Sequence, residues 1–140
     1  ILALLISIPS INIFTHGTHI TVAHSMGTTI GINTLILLSS ITYILELESP
    51  FTIQTFIRIN KGIRIFSLSF LCFWMCLLGM GIRKSYWMYW KNNLSFSQFQ
   101  DSQHWINILF VFFGLGILIG LYRIILELLK YVNRLTNSNS

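Results

Sequence analysis

Three long apolar stretches determine what this chain can fold into. They cover residues 18–47, 63–82 and 105–129. Each is long enough to cross about 30 Å of hydrocarbon, which takes about 20 helical residues. Because the inside of a bilayer offers no water to backbone N–H and C=O groups, a spanning segment must satisfy them internally, as a helix does. We therefore predict an all-α, polytopic transmembrane helix bundle that forms a single membrane domain over residues 1–140.

The low charge of the chain agrees with this class. Charged residues make up 9% of the sequence and hydrophobic residues 54%, whereas soluble domains carry about 25% charge. The net charge of +5 is explained by basic loops beside a bilayer, since the sequence has no Lys/Arg stripe and no RNA-binding motif. We expect membrane lipid as a partner and no nucleic acid.

Both ends of the chain are distinct from the spans. Residues 1–8, ILALLISI, cover about half of a span and lack the basic start and cleavage site of a signal peptide. We interpret them as the end of a truncated helix, so we expect the C-terminal part of a larger protein. Residues 130–140 are predicted to form a polar tail.

Lysines and arginines predict the orientation. The loop at 49–64 and the tail carry five of them, and the loop at 83–104 carries three: Arg58, Lys61, Arg64, Lys130 and Arg134 against Arg83, Lys84 and Lys91. The positive-inside rule then makes the C-terminus cytoplasmic.

The last span ends in a group of charged residues. Arg123 and Glu127 are four residues apart, with Lys130 three further on. This spacing predicts an ion pair between Arg123 and Glu127 at the cytoplasmic helix end. A proton path through Glu127 is the functional alternative.

Three of the four histidines lie within ten residues, in the stretch THGTHITVAH: His16, His19 and His24. An imidazole in a membrane helix is rare and is by default a functional-site hypothesis. The alternative is a histidine satisfied by a carbonyl or a water within a helix bundle. Zinc fits less well than haem, because spacings of three and five do not place all three rings on one face, whereas a haem needs one axial histidine. His104 has no companion and is interpreted as an interfacial residue.

The helix after this stretch carries further polar and small residues. At 100° per residue, His24 and Met26 point about 200° apart, toward two different neighbours. Asn33, seven residues after Met26, is predicted on the same face as Met26 and needs a partner inside the bilayer. Gly27 and Gly31 would let a helix or a flat cofactor approach closely. A second pair, Gly116 and Gly120, is interpreted as ordinary helix packing.

The segment Thr15–His24 resembles the large, cytochrome b-type subunit of bacterial nitric oxide reductases, within the haem–copper oxidase superfamily. In that family a Thr-His-Gly turn opens a membrane helix, and a histidine eight residues after the turn's histidine binds the high-spin haem iron. Thr15-His16-Gly17 matches the turn and His24 matches the ligand. The two following membrane helices and the basic tail agree in order and length.

The chain departs from the family at Met26, where a histidine would bind the low-spin haem. Met26 ligates that haem through its thioether, or the low-spin haem takes another ligand or is absent, or the chain belongs to a divergent branch such as nitric oxide dismutase. The resemblance further implies that His16 and His19 contact haem propionates or the waters above them.

The resemblance implies a respiratory oxidoreductase of the bacterial cytoplasmic membrane that reduces nitric oxide to nitrous oxide in denitrification. It would use two b-type haems and a non-haem iron or copper whose ligands lie outside this chain, with quinol or a cytochrome c as electron donor. The chain alone would be inactive, because a haem pocket needs opposing helices of the same subunit. Nitric oxide dismutation and oxygen reduction stay open. A non-catalytic membrane subunit or a transporter fragment is the alternative from a different class.

Overall fold

The structure, a computed structural model, describes residues 4–5, 8–90 and 95–138. This part of the chain is helical and has no strand, which confirms the all-α prediction. Leu4 and Leu5 are helical, and the predicted truncated helix otherwise lies largely outside the described residues. The remaining helices are α1 (Pro9–Thr15), α2 (His19–Glu48), α3 (Ile53–Tyr89), α4 (Phe96–Asp101) and α5 (His104–Ser138).

Helices α2, α3 and α5 are the ones in the described part of the chain that are long and apolar enough to cross a membrane. They correspond to the three apolar stretches, but α3 and α5 extend well beyond them. Most of the loop predicted at 49–64 is the first part of α3, and the predicted tail is helical as far as residue 138. Hydropathy did not predict these helix ends, because it shows which residues lie in the hydrocarbon and not where the helix stops. The N-terminal end of α3 is capped by Thr52, whose side chain accepts a hydrogen bond from the Thr55 amide.

The two predicted groups of cations lie at opposite ends of the bundle. At one end, the Tyr131 hydroxyl of α5 donates to the carbonyl of Ser49, just after α2. We call it the basic end, because Arg58 and Lys130 lie there. At the other end, the Tyr89 hydroxyl of α3 donates to the carbonyl of Ile13 in α1. We call this the histidine end. That the basic end faces the cytoplasm stays a prediction, and Lys91 lies outside the described residues.

Helices α3 and α5 pack antiparallel through small residues. A Cβ atom added at Gly120 would lie 2.6 Å from the Phe66 amide nitrogen, and one at Gly62 would lie 2.8 Å from the Ile124 side chain. The glycines thus let the two backbones approach each other closely. This confirms the packing interpretation of Gly116 and Gly120. The core along this contact consists of Ile59, Phe66, Ile117, Ile124 and Leu128.

The ion pair predicted between Arg123 and Glu127 is wrong. Glu127 contacts Lys130 at 3.0 Å and, across the helix interface, Arg58 of α3 at 3.7 Å. Arg123 forms no ion pair among the described residues. Sequence spacing within α5 could not reveal a partner supplied by α3.

The close contact between α3 and α5 makes a testable prediction. Gly120→Ala should destabilise the folded protein by about 1–3 kcal/mol, because its new methyl group overlaps backbone atoms of Phe66. Thermal unfolding in detergent, followed by circular dichroism, measures the effect. Gly79→Ala is the matched control, since no atom lies within 4 Å of its added Cβ. The control should be neutral or stabilising by about 0.5–1 kcal/mol. Equal melting temperatures for the two variants would contradict the packing.

Candidate functional site

A capped turn positions the histidines. The carbonyl of Thr15, at the end of α1, accepts hydrogen bonds from the hydroxyls of Thr18 at 2.6 Å and Thr21 at 3.1 Å. Gly17 has a φ of +71°, a left-handed conformation that glycine adopts without steric cost. The Thr18 side chain also accepts from the Ile20 amide and caps α2. The sequence THGT therefore forms a tight turn that starts α2 at His19.

The C-terminal part of α3 anchors this turn. Lys84 donates from Nζ to the carbonyl of Gly17 at 3.1 Å, and Ser85 donates from Oγ to the carbonyl of Phe14 at 2.6 Å. Gly81 of α3 brings the backbone of α2 close, since a Cβ there would lie 2.6 Å from the Ile20 amide nitrogen. A cation, Lys84, thus lies within reach of the histidine turn. Sequence reasoning used Lys84 only to predict orientation, because 67 residues separate it from Gly17.

The three histidines have different environments. His16 is exposed in the turn, whereas His19 and His24 are half-buried. The Nδ1 atom of His19 is shielded from solvent and has no hydrogen-bond partner among the described residues. The His24 ring likewise has no hydrogen-bond partner in the described part of the chain, although the backbone carbonyl of His24 accepts from the Thr28 hydroxyl and the Gly27 amide. The neighbouring helices therefore supply no hydrogen-bond partner to the Nδ1 atom of His19 or to the ring of His24.

One face of α2 is closed by aromatic side chains of α3. Trp74 donates from Nε1 to the carbonyl of Ala23 at 2.9 Å, and Ala23 is fully buried. A Cβ at Gly27 would lie 3.1 Å from the same Trp74 nitrogen, and one at Gly31 would lie 2.8 Å from the Phe70 ring. Of the two uses considered for these glycines, the structure shows packing against a neighbouring helix. A flat cofactor would have to approach from another side.

His24 and Met26 border this closed face on its two sides. The chain is α-helical from His19 to Met26, so the angle of about 200° between the two side chains applies. Both side chains are half-buried, and each leads away from the contact with α3 at Ala23. The two potential iron ligands therefore point toward two different spaces beside α2.

The predicted position of Asn33 is wrong. Residues Gly27–Asn33 form a π-helix, in which each hydrogen bond spans five residues and a turn takes more residues than in an α-helix. Seven residues then no longer make two turns, so Asn33 is not on the face of Met26. The sequence of the π-helix, GTTIGIN, consists of glycines, β-branched residues and an asparagine, all weak α-helix formers. Asn33 is exposed and has no partner in the described part of the chain.

Some of the residues near His24 suit a haem, and others do not. No three His, Cys, Asp or Glu residues come together to hold a metal ion in the regions that the structure describes, but an axial haem ligand is a single imidazole. The unpaired His24 ring meets that need. The Lys84 ammonium is a donor that suits a carboxylate such as a haem propionate, whereas protein atoms cover the unpaired Nδ1 atom of His19. The glycine face does not take part, because Trp74 and Phe70 cover it.

No protein-family model, no curated protein and no solved structure matches this chain. That the chain resembles nitric oxide reductases stays a prediction, which rests on the motif from Thr15 to His24 and on the order of the helices.

The Trp74 hydrogen bond gives a prediction for the site. Trp74→Phe keeps an aromatic ring against Gly27 but leaves the Ala23 carbonyl without this donor, so unfolding should become easier by about 1 kcal/mol. Thermal unfolding in detergent measures the loss. Trp105→Phe serves as control, since Trp105 is 78% exposed and should melt like the wild type. A Trp74 variant as stable as this control would show that the hydrogen bond does not hold α2 on α3.

Proposed function

We propose that this chain is the haem-binding part of a respiratory membrane oxidoreductase that reduces nitric oxide to nitrous oxide. The observation that carries the proposal is the half-buried His24 imidazole. It lies in an apolar helix and has no hydrogen-bond partner in the described part of the chain. A polar ring in hydrocarbon is costly unless something binds it. The THG turn eight residues before His24 makes haem iron the best candidate.

In this proposal His24 would hold the iron of the high-spin haem b through its imidazole. When bound, the haem supplies the iron at which a small gas molecule is bound and reduced. His24 would keep that iron in place beside α2, where substrate would reach it. Met26, which points the other way, is proposed as a ligand of the low-spin haem b.

The histidine end would hold the haem carboxylates. Lys84 lies over the turn that starts α2 at His19, and His19 would contact a propionate through the exposed part of its half-buried ring. His16 is exposed and lies nearer the end of the bundle. Charge-assisted hydrogen bonds from these donors would fix the propionates and with them the orientation of the ring.

Further helices of the same subunit would complete the pocket. Thr28, beside His24 on the helix surface, and Val22, beside Met26, are exposed, so the sides toward which His24 and Met26 point are open to a partner. The ligands of the non-haem iron or copper and the contact with quinol or cytochrome c would come from outside this chain. We place the protein in the bacterial cytoplasmic membrane with its C-terminus in the cytoplasm.

Haem content tests the assignment of His24. We expect the purified full-length protein to show a reduced-minus-oxidised b-type spectrum, and His24→Ala to lose one of its two haems together with nitric oxide consumption, because an alanine offers no ligand to iron. His104→Ala is the matched control, since His104 is an exposed histidine on α5 and should leave the spectrum unchanged. A colourless protein, or an unchanged spectrum in His24→Ala, would refute the proposal and favour a non-catalytic membrane subunit or transporter. The gas formed from nitric oxide distinguishes the two reactions, since nitrous oxide indicates reduction and oxygen indicates dismutation.

The role of Met26 needs its own experiment. Replacing it by histidine should convert the low-spin haem from His/Met to bis-histidine ligation and lower its reduction potential by on the order of 100 mV, within the range of about 0.8 V that axial ligands span. Near-infrared magnetic circular dichroism identifies the ligand pair, and redox titration gives the potential. Met75→His is the control, because Met75 is 58% exposed on α3. If the wild type shows no His/Met signal, Met26 is a packing residue.

A further inference from the structure

At the basic end, a groove of about 580 Å³ runs between α3 and α5. Four cations and one carboxylate line it, which gives its walls a net charge of +3: Arg58, Lys61, Arg123, Lys130 and Glu127. The side chains of Ile57 and Leu126 and the ring of Tyr122 also line it. The groove therefore combines a concentrated positive charge with an apolar wall.

Glu127 neutralises only part of this charge. Its carboxylate contacts Lys130 and Arg58, and its side chain is 15% exposed, against 53% and 55% for the two cations. Lys61 and Arg123 form no ion pair in the described part of the chain, although they face the same groove. Arg64 lines an adjoining groove on α3 together with Lys61. Cations left together without a counter-ion favour an anion from outside the protein.

The side of the bundle below this groove is apolar. A second groove, of about 420 Å³, lies between the same helices and is lined by Leu68 and Cys72 of α3 and by Phe112, Leu115 and Ile119 of α5. Leu68 follows Lys61 by seven residues, two helical turns, and Ile119 precedes Arg123 by four, about one turn. Positions at these spacings share a helix face. The apolar groove thus continues the basic groove toward the middle of the membrane.

From this arrangement we infer that the α3–α5 cleft at the basic end binds an anionic phospholipid. The phosphate would lie among Lys61, Arg123 and the exposed cations, and the acyl chains would follow the apolar groove past Leu68 and Ile119. Basic pockets between transmembrane helices bind anionic lipid head groups in this way. A free phosphate would use the cations but not the apolar groove, which is why the lipid is the better fit. The site lies at the opposite end of the bundle from the histidines and does not depend on the haem.

Native mass spectrometry of the full-length protein tests this inference with two lipid probes. Dioleoyl phosphatidylglycerol and dioleoyl phosphatidylcholine have the same acyl chains and differ in head-group charge. We expect the protein to retain phosphatidylglycerol at least about fivefold more strongly than phosphatidylcholine. Arg123→Gln should reduce this preference by about fivefold, and the double variant with Lys61→Gln should abolish it, since each cation near the membrane surface contributes by about this factor. Arg123→Lys should keep most of the preference.

Arg134→Gln is the matched control, because Arg134 is an exposed arginine of α5 that does not line the groove. It should bind phosphatidylglycerol like the wild type. Equal retention of the two lipids by the wild type, or a loss in Arg134→Gln as large as in Arg123→Gln, would overturn the inference. Displacement of phosphatidylglycerol by millimolar inorganic phosphate would also overturn it, in favour of a site for a soluble anion. The comparison of the two lipids on the wild type decides the matter even if a variant does not fold.

Discussion

Helix α3 lies in backbone contact with both of its long neighbours, and the rest of the structure depends on this. Gly62 and Gly120 bring α3 and α5 together, and Gly81 does the same for α3 and the start of α2. Inside a bilayer the lipid tails are as apolar as the side chains, so burial of apolar surface does not hold helices together as it does in water. Close packing and hydrogen bonds between helices remain, and both are concentrated along α3.

The fold class could be predicted because it follows from one physical requirement. An apolar stretch as long as the hydrocarbon is thick must be helical, and three such stretches are plain in the sequence. The helix ends could not be predicted in this way. Ile53–Tyr89 continues for many residues beyond its apolar window, since water allows a helix to continue as long as capping and side-chain packing stabilise it.

The candidate site was predictable where it is local. The turn at Thr15–Thr18 and the opposite directions of His24 and Met26 depend on neighbouring residues, so the sequence contains the information. Trp74 and Lys84 act on residues 51 and 67 positions away, and no spacing rule links them. The same reason explains Glu127, whose second cation belongs to another helix. Long-range contacts are decided by how helices pack, which a single sequence does not display.

The π-helical turn in α2 has a mechanical consequence. A π-helical segment contains one residue more than an α-helix with the same hydrogen-bonded ends. That extra residue changes which way the side chains after Asn33 point relative to those before Gly27. Removing one amino acid within Gly27–Asn33 would therefore allow a regular α-helix to form, with Ala23 still against Trp74 of α3 and Leu38 still against the core. The same deletion elsewhere in α2 would rotate one half of the helix against the other by about 100°.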